Sequence, residues 1–75
     1  MKYRLEGLTI EAIDTYVRLT LGSGKVVVTK KECPDSVDVA NLLSETQGYR
    51  PNKAQLQACA RAAQDARDNV IELAL

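Results

Sequence analysis

The spacing of apolar positions divides this chain into a β-rich front and a helical back. Between Asn52 and Leu75 the residues Leu56, Cys59, Ala63, Ala66, Val70 and Leu73 recur at alternating steps of three and four, the period of one face of an α-helix. Small side chains in the middle of that face let another element approach closely, while Leu56, Val70 and Leu73 supply bulk at its ends. Asn52 with Gln55 three residues later makes a capping-box start for a helix over 52–75. A shorter helix is expected within 35–48, capped by Asp35 or Ser36, with Val39, Leu42 and Leu43 as its apolar side and Gly48 as its terminator.

Residues 1–31 read mainly as strands. Val17, Leu19 and Leu21 alternate with Arg18 and Thr20, then Gly22-Ser23-Gly24 intervenes before Val26-Val27-Val28-Thr29, a hairpin pattern. Upstream, Tyr3 and Leu5 keep one phase and Leu8, Ile10 and Ala12 the other. A strand bulged at Gly7 explains that slip, so the expected sheet is a three-stranded meander. The rival is a helix over 9–21 with Thr9 as N-cap and Gly22 closing it. Six β-branched residues, Thr9, Ile10, Ile13, Thr15, Val17 and Thr20, stand against that helix. Both versions give one small α+β domain spanning residues 1–75: a short antiparallel sheet followed by two helices, the second long and alanine-rich.

Composition narrows what such a domain does. The 75 residues contain no Phe, Trp or His, and three Tyr, so the core is short of large side chains. Backbone and side-chain ordering at about 1.5 kcal/mol per residue roughly cancels what a core of this size buries. Self-association is then an expected source of stability, with a homodimer through the alanine-rich helix as its simplest form. Formal net charge is zero, but residues 1–31 carry six basic against three acidic groups and residues 32–75 carry four against seven. Neither half reaches the charge density of a nucleic-acid binder. Cys33 and Cys59 make no disulfide framework, and no signal peptide or long apolar run is present. The expectation is a cytoplasmic protein with reduced thiols and no membrane association. Opening on Met and closing on its helix, the sequence reads as a complete small protein.

The chemical motifs are weak. Gly22-Ser23-Gly24-Lys25 lacks the earlier glycine and the following Ser or Thr of a phosphate loop, because Leu19 and Val26 hold those positions. It reads as a turn. Asp65, Asp68 and Glu72 form an acidic stripe in the last turns of the long helix, opposing the helix dipole by about 0.3–1 kcal/mol each. The bland reading is a solvated face; the functional one is a contact for a basic partner. Ile71 and Leu75 lie beside it, either widening the core or forming a docking patch. Lys30 and Lys31, with Arg18 and Lys25, make the predicted hairpin basic. Tyr49 and Arg50, between the helices, are residue types enriched at interfaces, and the bland alternative packs Tyr49 under its loop.

With no histidine, no nucleophile–base pair and no metal-ligand spacing, the chain is not expected to be an enzyme or to take a cofactor or metal. The leading expectation is a protein-binding module, an inhibitor or adaptor that occupies a surface of a larger protein. Stand-alone proteins of this kind are common among phage and mobile-element accessory products, including inhibitors of host defence complexes. The residues expected to carry it are Tyr49, Arg50, Asp65, Asp68, Glu72, Lys30 and Lys31. A nucleic-acid-binding regulator using the basic hairpin, or a helix-turn-helix formed by the two helices, is the first alternative. A structural subunit of a homo- or hetero-oligomer is the second.

Overall fold

Tight turns join successive strands in the front of the chain, and this makes the sheet a meander. In the computed structural model, which describes residues 1–74 with side chains through Glu72, the strands are β1 (Lys2–Leu5), β2 (Leu8–Ile13), β3 (Tyr16–Leu21) and β4 (Val26–Val28). They form one antiparallel sheet in the order β1-β2-β3-β4. Helices α1 (Ser36–Gln47) and α2 (Lys53–Ala74) follow. The fold is α+β, as expected. The rival helix over 9–21 does not form: β2 and β3 occupy most of that segment, whose β-branched side chains suit a pleated surface.

The expected single strand bulged at Gly7 is corrected to two strands. Glu6 and Gly7 form a two-residue turn, with Leu5 paired to Leu8 and Tyr3 to Ile10, so the meander has four strands. Gly7 takes φ +68°, a left-handed conformation that costs glycine no Cβ clash. A second two-residue turn, at Asp14 and Thr15, pairs Ile13 with Tyr16. Across each such turn the inward-facing positions switch parity, from Tyr3 and Leu5 to Leu8 and Ile10, and then to Val17 and Leu19.

Those inward positions meet both helices. Leu8, Ile10, Val17 and Leu19 share one core with Val39 and Leu43 of α1 and with Ala58, Cys59, Ala62, Ala63 and Ala66 of α2. Full burial of aliphatic side chains such as Ile10, Leu19 and Leu43 contributes about 1.5–3 kcal/mol each. The buried face of α2 is rotated from the one its leucines suggest. Gln55, Ala58 and Ala62 belong to it, whereas Leu56 and Val70 are 45% and 37% exposed. The contact follows the smallest side chains, because an alanine face lets the helix axis sit close to the strands and a leucine would hold it off. The alanine face is therefore packed within the protomer, against the sheet and α1. The side chain of Leu73 lies outside the described residues.

Both helix starts are capping boxes. The Asp35 carboxylate accepts from Asp38 N at 2.8 Å while Asp38 Oδ2 accepts from Asp35 N at 3.1 Å. Asn52 Oδ1 and Gln55 N, at 2.8 Å, are matched by Gln55 Oε1 and Asn52 N at 2.9 Å. Gln55 is buried because its amide also faces that of Gln47, the two exchanging hydrogen bonds at 3.3 Å. This ties the end of α1 to the start of α2. At the far end Asp35 and Ser36 line one groove with Ala63 and Arg67, so the helices run antiparallel. Gly48, at φ +83°, ends α1 and donates its N–H to Ser44 O at 2.9 Å.

After β4 the chain leaves the sheet through Thr29, which is 7% exposed. Its N–H donates to Val17 O at 3.0 Å, and its hydroxyl oxygen accepts from Val17 N at 3.1 Å. The side chain thus replaces a backbone carbonyl in the ladder. Thr29→Val leaves a buried N–H without an acceptor and is expected to destabilise the fold by about 1–3 kcal/mol, with Thr29→Ser retaining most of the stability in urea unfolding. Ala66→Leu should lower the urea midpoint by an amount equivalent to about 1–3 kcal/mol through overpacking against the sheet. An unchanged midpoint would show that this face is not packed within the protomer.

Candidate interaction surface

Because every inward position of the sheet faces the helices, the alternate positions form a second, uncovered face. It carries Lys2 and Arg4 from β1, Thr9, Glu11 and Ile13 from β2, Tyr16, Arg18 and Thr20 from β3, and Val26 and Val28 from β4. Cross-strand register sets Lys2, Glu11, Arg18 and Val28 in one row.

Glu11 is the unusual member of that row. Although no helix covers it, it is only 3% exposed, because its two cationic neighbours lie over it. Arg18 Nη2 hydrogen-bonds Glu11 Oε1, and Lys2 Nζ lies 3.7 Å from Oε2. Arg18 Nε is buried and lacks a hydrogen-bond partner. Around this clamp, Ile13, Val26 and Val28 are 39%, 53% and 46% exposed. Ile13 on β2 and the two valines on β4 stand on either side of Tyr16, Arg18 and Thr20 of β3, so the uncovered face is mixed apolar and charged.

The residues singled out from the sequence do not form one surface. Tyr49 is exposed, not packed under its loop, and Arg50 beside it is exposed. Asp68 and Glu72 are exposed near the other end of α2, and the rise from Lys53 to Asp68 along that helix is about 22 Å. Asp65 does not belong to a solvated stripe. It accepts a hydrogen bond from Tyr3 Oη at 2.7 Å and lies 3.7 Å from the amino group of Met1, fastening β1 to α2. Asp68 accepts from Gln64 Nε2 at 2.9 Å. Lys31 pairs with Asp38 at 3.5 Å, and Lys30 is exposed in the same loop. Ile71 is 62% exposed rather than part of the core; its expected companion Leu75 lies outside the described residues.

Sequence reasoning missed Ile13, Val26, Val28 and the Glu11 clamp. Their signal was the alternation itself: once the turns at residues 6–7 and 14–15 are placed, these positions fall on the face opposite Ile10 and Leu19.

Three groups have shifted proton affinities. The hydrogen bond to Asp65 raises the Tyr3 phenol above its usual value, reinforced by burial. The Asp35 N–H holds the Asp38 carboxyl below its usual value, and Lys31 adds to this. Burial pushes the Cys59 thiol from 9.0 to about 11, so a reactive thiolate is disfavoured there. Cys33, in the loop, is free and half-buried. Among the described residues, no His, Cys, Asp or Glu group is arranged to hold a metal ion, and no helix is long and apolar enough to cross a membrane.

Tyr3 and Cys59 hold their protons more tightly folded than unfolded. Their contribution to stability is complete below the unfolded values and is lost as pH rises through the folded ones. Urea midpoints are therefore expected to fall between pH 9 and 11, and less steeply in Tyr3→Phe. A thiol reagent at pH 8 should modify Cys33 in the native protein and Cys59 only after unfolding; equal rates would contradict the burial of Cys59.

The chain matches no protein-family model, curated protein or solved structure in the three comparisons made.

Proposed function

We propose that this protein is a protein-binding module, an inhibitor or adaptor that acts by occupying a surface of a larger protein partner. The uncovered sheet face carries the reading: both helices are spent on one side, and Ile13, Val26 and Val28 stand exposed on the other. A strand face buries well against a flat partner because its backbone polar groups are already paired in the ladder. Tyr49 with Arg50 and Asp68 with Glu72 are separate secondary contacts, and Lys30 and Lys31 belong to the sheet-edge side of the molecule. The same reading takes the protein as non-catalytic, with Glu11, Asp38 and Asp65 holding strands and a helix cap together. Free thiols at Cys33 and Cys59 support a reducing, cytoplasmic setting.

A nucleic-acid regulator is the alternative that the same face supports, because Lys2, Arg4 and Arg18 outnumber Glu11 on it. Affinity capture from a lysate, with and without nuclease, separates the two. The protein-binding reading predicts a stoichiometric protein that survives nuclease and is lost with Ile13→Lys, a variant whose exposed position should leave the urea midpoint within about 0.5 kcal/mol of the parent. Loss of every partner after nuclease would transfer the function to nucleic acid.

A further inference from the structure

The two edges of the sheet are not equivalent. Leu21 N donates to Lys25 O, and Thr29 N donates to Val17 O. Antiparallel pairs alternate between hydrogen-bonded and non-bonded, so Leu19 and Val27 form the bonded pair between them. Val26 and Val28, opposite Thr20 and Arg18, therefore point their N–H and C=O groups away from the sheet. β1 has a cation at each of two alternate positions, Lys2 and Arg4, a common protection of edges against pairing. β4 is three valines with no charge inside the strand. Beyond it, on the inward side, a groove of about 420 Å³ runs between β4 and α1, with Val27, Pro34 and Leu42 in its apolar lining, Lys30 and Glu45 among its charged residues, and Lys31 paired to Asp38.

Charge distinguishes the occupants of such an edge. Lys25 precedes β4 and Lys30 follows it, both exposed; among the described residues neither makes an ion pair. Antiparallel pairing of β4 with a second copy of itself, centred on Val27, would set Lys25 opposite Thr29 of the copy and beside its Lys30. Lys25 and the copy's Lys30, one position apart on opposite faces of the ladder, gather positive charge at both ends, which disfavours self-pairing. A foreign strand with carboxylates at both ends meets the same lysines as counter-charges.

We propose that β4 is a strand-addition site for an extended segment of a partner protein, three apolar residues flanked on both sides by acidic ones. The segment runs antiparallel to β4, exchanging backbone hydrogen bonds with Val26 and Val28. Its central side chain enters the groove against Val27, Pro34 and Leu42, and its carboxylates face Lys25 and Lys30. This inference rests on the protein-binding reading and names the chemistry of the partner. Backbone pairing supplies affinity in such complexes, and the groove and the end charges supply selectivity.

The test uses the full chain, isotope-labelled for amide resonances, and two capped heptapeptides. One is Val-Leu-Val between paired glutamates, the other the same core between paired lysines. The acidic peptide should shift the Val26 and Val28 amides, slow their hydrogen exchange, and bind about tenfold more tightly than the basic one. Val28→Pro removes an outward N–H without breaking a ladder bond and should abolish binding at an unchanged urea midpoint. Lys25→Glu with Lys30→Glu should reverse the preference between the peptides, which keeps the test decisive if the proline variant fails to fold. Undisturbed Val26 and Val28 amides at millimolar peptide, or an unchanged preference in the charge-reversed protein, would overturn strand addition. The protein-binding reading would then still be decided by the lysate capture with Ile13→Lys.

Discussion

The close seat of α2 on the sheet is the contact on which the rest of the molecule depends. Ala58, Ala62, Ala63 and Ala66 are almost fully buried, and alanine is what allows a helix backbone to approach strands this closely. A chain with no Phe or Trp cannot fill a wide gap between layers, so short distance replaces bulk. Ile10, Val17 and Leu19 from the strands and Val39 and Leu43 from α1 then suffice to close the core. Fixed this way, α2 also serves as the post for distant parts of the chain. Tyr3 reaches Asp65 from β1, Asn69 Nδ2 donates to Asp14 O at 2.7 Å in the turn between β2 and β3, and Gln55 meets Gln47.

That economy leaves the fold one-sided. α2 lies against the inward face and α1 packs on α2 at the side of the same core, while the outward face has only its own side chains for cover. Glu11 shows how this is managed: the flanking Lys2 and Arg18 bury it by lying across it. A carboxylate kept from water needs such partners, because desolvation of an unpaired charge costs several kcal/mol. Apolar side chains nearby have no such cover, and the valines of β4 add an edge with open hydrogen-bonding groups.

Much of the architecture was legible along the chain. Asp35 before the first helix and Asn52 with Gln55 before the second are local signals, acting between near neighbours whatever the tertiary context, and both helix starts fell where they stand. Gly22 to Gly24 marked the last hairpin for the same reason. The turn at Gly7 was not distinguishable from a bulge, since each shifts the inward phase by one residue; pairing between Tyr3 and Ile10, a contact across the turn, decides it. The different surroundings of the acidic stripe were not legible, because helical spacing orders residues around an axis without saying what stands opposite. Asp65 faces the hydroxyl of Tyr3, 62 positions away, while Asp68 faces solvent.

The sequence by itself determined the two helices, their caps and the α+β class, because those depend on interactions between residues a few positions apart. It also determined that the long helix would bury a face of small side chains. Cys59, Ala63 and Ala66 of the expected face are buried, and tertiary structure decided that this face extends over Ala58 and Ala62. Leu56 and Val70 are stronger apolar signals than Ala58 and Ala62, yet they are the ones left in water. Packing rewards fit between two surfaces rather than the hydrophobicity of one, and the second surface, the inward side of a four-stranded meander, exists only once the strands have paired.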